Sequence, residues 1–246
     1  MKTSNKILLT ALAVVIVFII AVAINFKVKL KDYIIEGDGN IITQEQTFEP
    51  FDKLIIEGGL SIEYILGESN ILIIEADSNL MQNIETSLID KTLKIKNNTS
   101  SRKQVNCKLT APMVEEIIVS SGAKLISKDT IQSQSLDFTL NAGGSLSLIG
   151  NFDTIVSTIN AGSKATLVGT CKEMKVSVNA GSELKSHRME TDYLVISANA
   201  GSNANVNSKE LEVSATSGSV IRYNEGATLK KVETSSGGSI RSREGD

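Results

Sequence analysis

From residue 113 onward the apolar positions recur on two periods at once. Within short runs they alternate with polar residues, as in "LDFTLNAGGSLSLIG" (136–150), and the run itself returns about every nineteen residues around a glycine. Setting Gly122, Gly143, Gly162, Gly181, Gly201, Gly218 and Gly237 in register gives spacings of 21, 19, 19, 20, 17 and 19. Three residues before each glycine stand Val119, Leu140, Ile159, Val178, Ala198, Ala215 and Thr234, and three after it Leu125, Leu146, Ala165, Leu184, Ala204, Ile221 and Ile240. Alternation of period two is the signature of a strand with one buried face, so each unit reads as a strand, a bend at the glycine and a second strand. A unit of this length cannot bury its apolar side alone, whereas stacked copies form a continuous core. The pattern predicts an all-β fold, a parallel β-helix or β-solenoid of about 19-residue rungs. A propeller blade needs about forty residues and a leucine-rich repeat its fixed Leu/Asn pattern, and neither fits.

The bends carry "NAGG" or "NAGS", which places Asn141 with Gly143, Asn160 with Gly162, Asn179 with Gly181 and Asn199 with Gly201. Glycine permits positive φ, and asparagine tolerates turn geometry while its amide bonds neighbouring groups. Stacked rung on rung, the four asparagines are expected to form an amide ladder, with Ser120, Thr216 and Ser235 in the same position of the flanking rungs. The outward columns offer one consistent chemistry, a hydroxyl file of Thr139, Thr158, Ser177, Ser197 and Ser214, four residues before successive glycines. It is the candidate binding surface, although small hydroxyl residues also make an ordinary solvated strand face.

Upstream, residues 48–112 form a less regular β part of the same solenoid. "FDKLIIEGGLSIEYILG" aligns around Gly59 as an early, diverged rung, Asp90-Lys91 marks a hairpin, and 80–86 is expected to make one helical turn. Pro112 marks the entry to the regular rungs of 113–246. Residues 32–47 read as a linker. Ahead of it, 1–31 contains "ILLTALAVVIVFIIAVAI" (7–24), whose only polar member is Thr10. Eighteen residues at about 1.5 Å each just cross a hydrocarbon core, so the segment is a membrane-spanning signal anchor. The other reading is a signal peptide cleaved after Ala23, which the small residues of "AVA" permit. Either way the bulk of the chain is exported to the cell envelope.

Charge and chemistry narrow the picture further. The formal net charge of −3 includes five lysines within 1–31 and no acid there, so the rest of the chain carries −8. A surface of that sign repels nucleic acid. Two cysteines, Cys107 and Cys171, and the single His187 are too few for a zinc site or a disulfide framework. The cysteines read as small core residues and His187 as a solvated turn residue. There is no Gly-x-Ser-x-Gly elbow, no phosphate loop and no outward carboxylate cluster of the kind polysaccharide-cleaving β-helices use. No catalytic residue, metal or cofactor is expected. The C-terminal "SIRSREGD" reads as a charged guard on the last sheet edge or a frayed tail, and a monomer is the default.

The stretches "FEPFDKLIIEGGLSIEYILGE" (48–68), "NLMQNIETSLIDKTLKIK" (79–96) and "LTAPMVEEIIVSSGAKL" (109–125), followed by the "NAGS" rungs, resemble the auto-transporter adhesin head GIN domain family, exported bacterial β-helical proteins. The likeness spans about 200 residues and implies a right-handed exported solenoid with a role in adhesion to a surface or envelope component, a glycan or a protein. It brings no motif of functional residues. The readings it leaves beside adhesion are a sensor or regulatory ectodomain and, more distantly, a degenerate polysaccharide-active β-helix enzyme.

Overall fold

The computed structural model describes Ile16, 35–99 and 104–243. Within those residues the chain is a β-solenoid of about seven turns. The rungs are the long strands β9 (Lys124–Asn141), β10 (Ser145–Ile159), β11 (Lys164–Val178), β12 (Glu183–Ala198) and β13 (Asn203–Ala215), each hydrogen-bonded in parallel to the next. Each bends midway, so its first half belongs to one face of the stack and its second half to the other. The burial alternation shows where: in β10 it is strict from Ser145 to Phe152, slips at Asp153 and Thr154, then resumes with Ile155, Ser157 and Ile159 inward.

At the turns, Ser163 N donates to Asn160 O and both central residues hold positive φ, 53° at Ala161 and 71° at Gly162. Ala142, Ala180 and Ala200 are left-handed in the same way, so the alanine, expected only to be small, shares the backbone cost of about 1–2 kcal/mol per non-glycine residue. A ladder of turn bonds offsets it: Gly143 N, Gly162 N and Gly181 N each donate at 3.0 Å to the alanine carbonyl of the following turn. The residue after the glycine faces inward. Ser163, Ser182, Ser202 and Ser219 are buried there, and Ser202 Oγ and Ser219 Oγ donate at 2.7 Å to the carbonyls of Val178 and Ala198. The serine of "NAGS" is thus an interior corner brace.

The uneven spacings of 20 and 17 have a local cause. Between Ser186 and Thr191 β12 carries three more residues than β13 does between Val206 and Ser208. His187 lies in that extra segment, inside β12 and half-buried, rather than in a solvated turn.

The rungs before β9 stack out of chain order. β2 (Lys53–Glu57) and β3 (Leu60–Leu66), joined through Gly58 at φ 86°, make the diverged rung, with Leu54, Ile56, Ile62 and Tyr64 buried. On one side β2 pairs with β8 (Glu116–Ser120) and β3 with β9; on the other they pair with β6 (Thr92–Asn97) and β7 (Val105–Ala111), which follow them in sequence. This early rung is therefore sandwiched between two later ones. Asp90 and Lys91, with φ of 46° and 57°, close the β5–β6 hairpin as expected, where β5 is Ile84–Ile89. The helical turn ends earlier than the sequence suggested, as α1 (Ser78–Met81), because Ile84 and Thr86 are claimed by antiparallel pairing with β6. Ile41–Thr47, read as linker, is β1, antiparallel to β4 (Ile71–Asp77), which in turn pairs with β7. Its side chains are nearly all exposed, so it is recruited chiefly by backbone bonding to β4, and hydropathy gave no signal.

One contiguous core runs through the stack. Among the described residues two buried hydroxyls lack a partner, those of Thr99 and Ser157; Ser157, 3% exposed, is registered between Phe138 and Val176. Ser157→Ala should stabilise the chain by about 1 kcal/mol, because an orphaned buried hydroxyl costs about that much; an unchanged or lower denaturant midpoint would show that the hydroxyl is satisfied.

The span expected over 7–24 lies, apart from Ile16, outside the described residues. Among the described residues no helix is long and apolar enough to cross a membrane.

Candidate functional site

The amide ladder forms over three of its four expected members. Asn160 Nδ2 donates to Asn141 Oδ1 at 3.1 Å and Asn179 Nδ2 to Asn160 Oδ1 at 3.0 Å. Asn199 departs from it. Its Oδ1 accepts from Ala200 N and from Thr216 Oγ1, at 2.9 and 2.8 Å, so it caps its own turn. Asn160→Ala, which removes two ladder bonds, should cost about 1–2 kcal/mol in chemical denaturation, and Asn141→Ala, with one, about half that; equal losses would mean the ladder carries no weight of its own.

The hydroxyl file is brought together as expected. Thr139 faces Thr158, Thr158 faces Ser177, Ser177 faces Ser197 and Ser197 faces Ser214 in consecutive rungs. Ser197 is exposed and the others half-buried, and Ser197 Oγ lies 3.4 Å from Ser177 Oγ. Toward the C-terminal end the file is flanked by Lys175, Glu212, Lys231 and Glu233 in a shallow depression of about 130 Å³. It is a flat hydroxyl strip with little concavity.

A larger feature lies at the midway bend. There two outward columns, separated by one inward residue per rung, border a groove of about 640 Å³. One column is Gln132, Asn151, Thr170 and Glu190, registered strand to strand, with Thr170 Oγ1 donating to Asn151 Oδ1 at 2.8 Å. The other, Gln134, Asp153, Lys172, Asp192 and Lys209, alternates in sign. Lys172 Nζ lies 2.7 Å from Asp153 and Lys209 Nζ 2.7 Å from Asp192. Hydrogen bonds to these aspartates, followed by their charges, raise the pKa of both lysines, which stay charged at neutral pH. The charges nearly cancel along the groove.

The inward residues between the columns brace the bend. Ser133 Oγ donates to Ser135 O at 2.8 Å, Cys171 Sγ to Glu173 O at 3.1 Å and Ser208 Oγ to Glu210 O at 2.7 Å, each two residues ahead. Cys171 therefore acts as a serine-like brace. Burial pushes its thiol up to about 11 and that of Cys107 up to about 12, the latter with help from the Glu75 charge. Neither thiol is a nucleophile at neutral pH. Both are free and buried, in β11 and β7.

The groove escaped the sequence reading because both its columns lie on the far side of a slip in the in/out alternation from the turn glycine. Counting back nine residues from the turn glycine puts Gln134, Asp153, Lys172, Asp192 and Lys209 in one column, but unbroken alternation from that glycine assigns the column to the inward face. The visible signal was opposite charges about nineteen residues apart.

Among the described residues no group of three or more His, Cys, Asp or Glu is placed to hold a metal ion. The family described as "Putative auto-transporter adhesin, head GIN domain" matches residues 50–227. No curated protein matches the sequence. Among solved structures, a "putative adhesin" of Bacteroides fragilis is similar at 15% identity and a TM-score of 0.76, over 85% of this chain and all of that one. A "putative adhesin" of Parabacteroides merdae, 13% identical, and a "Putative lipid binding protein" of Parabacteroides distasonis, 16% identical, both reach 0.69 over 85% of this chain and 99% of theirs. At these identities the likeness is one of fold.

Proposed function

The chain belongs to the head GIN domain adhesin family, and from that premise we propose that it is a non-enzymatic, exported, right-handed β-solenoid that works by presenting its outer surface to another component of the cell envelope or of a neighbouring surface. Residues 7–24 tether it to the membrane, or belong to a signal peptide that directs export and is cleaved after Ala23. The midway groove is the seat of binding and the hydroxyl file Thr139, Thr158, Ser177, Ser197 and Ser214 is a flat shoulder beside it.

The observation that carries this reading is the groove's composition. Amide, hydroxyl and paired carboxylate and ammonium groups recur at the rung spacing of about 4.8 Å along a concavity of about 640 Å³, with little net charge. Such a surface favours a neutral, hydroxyl-rich ligand of repeating structure, a glycan strand above all, over a polyanion. The raised thiols support the non-enzymatic part, since they remove the cysteines as nucleophiles.

The test is capture from envelope extracts and from a glycan panel by the immobilised protein. Replacing Asn151, Thr170 and Asp192 by alanine should weaken binding at least tenfold, the scale of one or two lost hydrogen bonds of about 1 kcal/mol each. Alanine at Thr158, Ser177 and Ser197 should change it less. The opposite order would move the site to the file, and turnover of any polysaccharide by the wild-type protein would overturn the non-enzymatic reading.

A further inference from the structure

The two ends of the stack are finished differently. At the N-terminal end α1 packs Leu80 and Met81, 2% and 9% exposed, onto the core. The edge strands β1 and β5 are tied together there by Thr86 Oγ1 donating to Gln46 Oε1 at 2.6 Å. The C-terminal end has no counterpart among the described residues. Its last strands are β15 (Thr228–Thr234), paired only with β13, and β16 (Ser239–Arg243), paired only with β14 (Val220–Asn224). Leu229 and Val232 are 37% and 50% exposed, whereas their registered neighbours one rung inward, Leu211 and Val213, are 0% and 2%. Unpaired strand edges over an open core are surfaces that accept another chain.

The sequence of β15 says which chain. Its register on β13 turns Val232 inward, opposite Val213, and Lys231 and Glu233 outward, opposite Glu212 and Ser214. If a second β15 lies antiparallel with Val232 opposite Val232, each Lys231 faces the other copy's Glu233 on the outer side and the two valines meet over the core. The strand is complementary to itself in charge about Val232. Lys231 and Glu233 already pair within the strand at 2.9 Å, so the exchange keeps every charge paired. The same operation suits β16. Centred on Ile240, which lies opposite Ile221, it sets Ser239 against Arg241 and avoids facing like charges. Val232 stands three residues before the last turn's first residue, Ser235, and Ile240 two after its last, Gly238. One axis normal to both sheets therefore passes near both.

We propose that the C-terminal end of the solenoid is the interface for a second copy of this chain, joined tail to tail about that two-fold axis. Both sheets then run unbroken through a dimer, with β15 on β15 and β16 on β16 antiparallel, the isologous contact that closes after two subunits. This replaces the default of a monomer. It presents two outer surfaces side by side in one assembly, so that repeated ligands are held by avidity.

The test is the oligomeric state of the full chain in detergent, by light scattering and by sedimentation. The wild type is expected to be a dimer. Lys231→Glu or Glu233→Lys alone sets like charges face to face and should raise the dissociation constant at least tenfold, and the double exchange should restore it. Directly opposed antiparallel residues hold their Cβ atoms about 4.5–5.5 Å apart, so Val232→Cys should oxidise to a covalent dimer while Val156→Cys, 42% exposed in mid-stack, should not. A monomer at every concentration tested, a dimer indifferent to both charge reversals, no more cross-linking at Val232→Cys than at Val156→Cys, or growth beyond the dimer would each overturn the proposal.

Discussion

Gly169→Ala is expected to lower the stability of the chain by about 2–5 kcal/mol, seen as a large drop in denaturant midpoint. Two costs add at this position. Its φ of 124° is one that L side chains rarely adopt, and a Cβ placed there would sit 1.9 Å from the backbone oxygen of Gly150 in the adjacent rung. Left-handed backbone alone costs about 1–2 kcal/mol, and overpacking against a fixed backbone atom adds about 1–3 kcal/mol. Gly181→Ala gives the scale. That turn glycine has φ 70° and open space around an added Cβ, so only the backbone cost applies, about 1–2 kcal/mol. Equal effects at the two sites would mean that rung-to-rung contact at Gly169 is looser than described.

The second large effect is expected at Phe138→Ala, a loss of about 3–5 kcal/mol, the usual range for truncating a buried phenylalanine. Phe138 is fully buried, registered between Ile117 and Ser157. The short side chain of Ser157 on one side means that the neighbouring rung has little to move into the space a removed ring would leave. Val176→Ala, one rung beyond Ser157, deletes less volume and should cost about half as much. A Phe138→Ala loss no larger than that of Val176→Ala would show that the stack closes over the gap.

What the sequence made legible follows from how each feature is encoded. Glycines in register, with apolar columns three residues either side, were enough for the solenoid, its rung length, its turns and the inward faces, because stacking repeats turns a one-dimensional pattern directly into contacts. The hydroxyl file was readable for the same reason: Thr158 and Ser177 are the same distance from their glycines and meet in register. The amide ladder was over-extended by one member because Asn199 Oδ1 accepts from Ala200 N in its own turn and from Thr216 Oγ1 of the next rung, with no amide bond to Asn179. Three things were not legible. β1 is held by backbone bonds, which hydropathy does not encode. The order of β2–β3 and β6–β7 is a matter of threading, and the same alternation would serve either order. The groove at the bend lies where the alternation slips, so alternation counted back from the turn glycine assigns Asp153, Lys172, Asp192 and Lys209 to the wrong face.

The outer surface is set by which strands are neighbours, and the sandwiched early rung is where sequence order and spatial order part. Ile55, Lys94 and Ile118 all face outward, with Ile55 registered to Lys94 on one side and to Ile118 on the other. Paired cysteine replacements at these three positions measure the order directly through oxidative cross-linking. Cysteines at 55 and 94, and at 55 and 118, should cross-link, while those at 94 and 118, two strands apart, should not; efficient bridging of 94 to 118 with none from 55 to 118 would contradict the order of the stack.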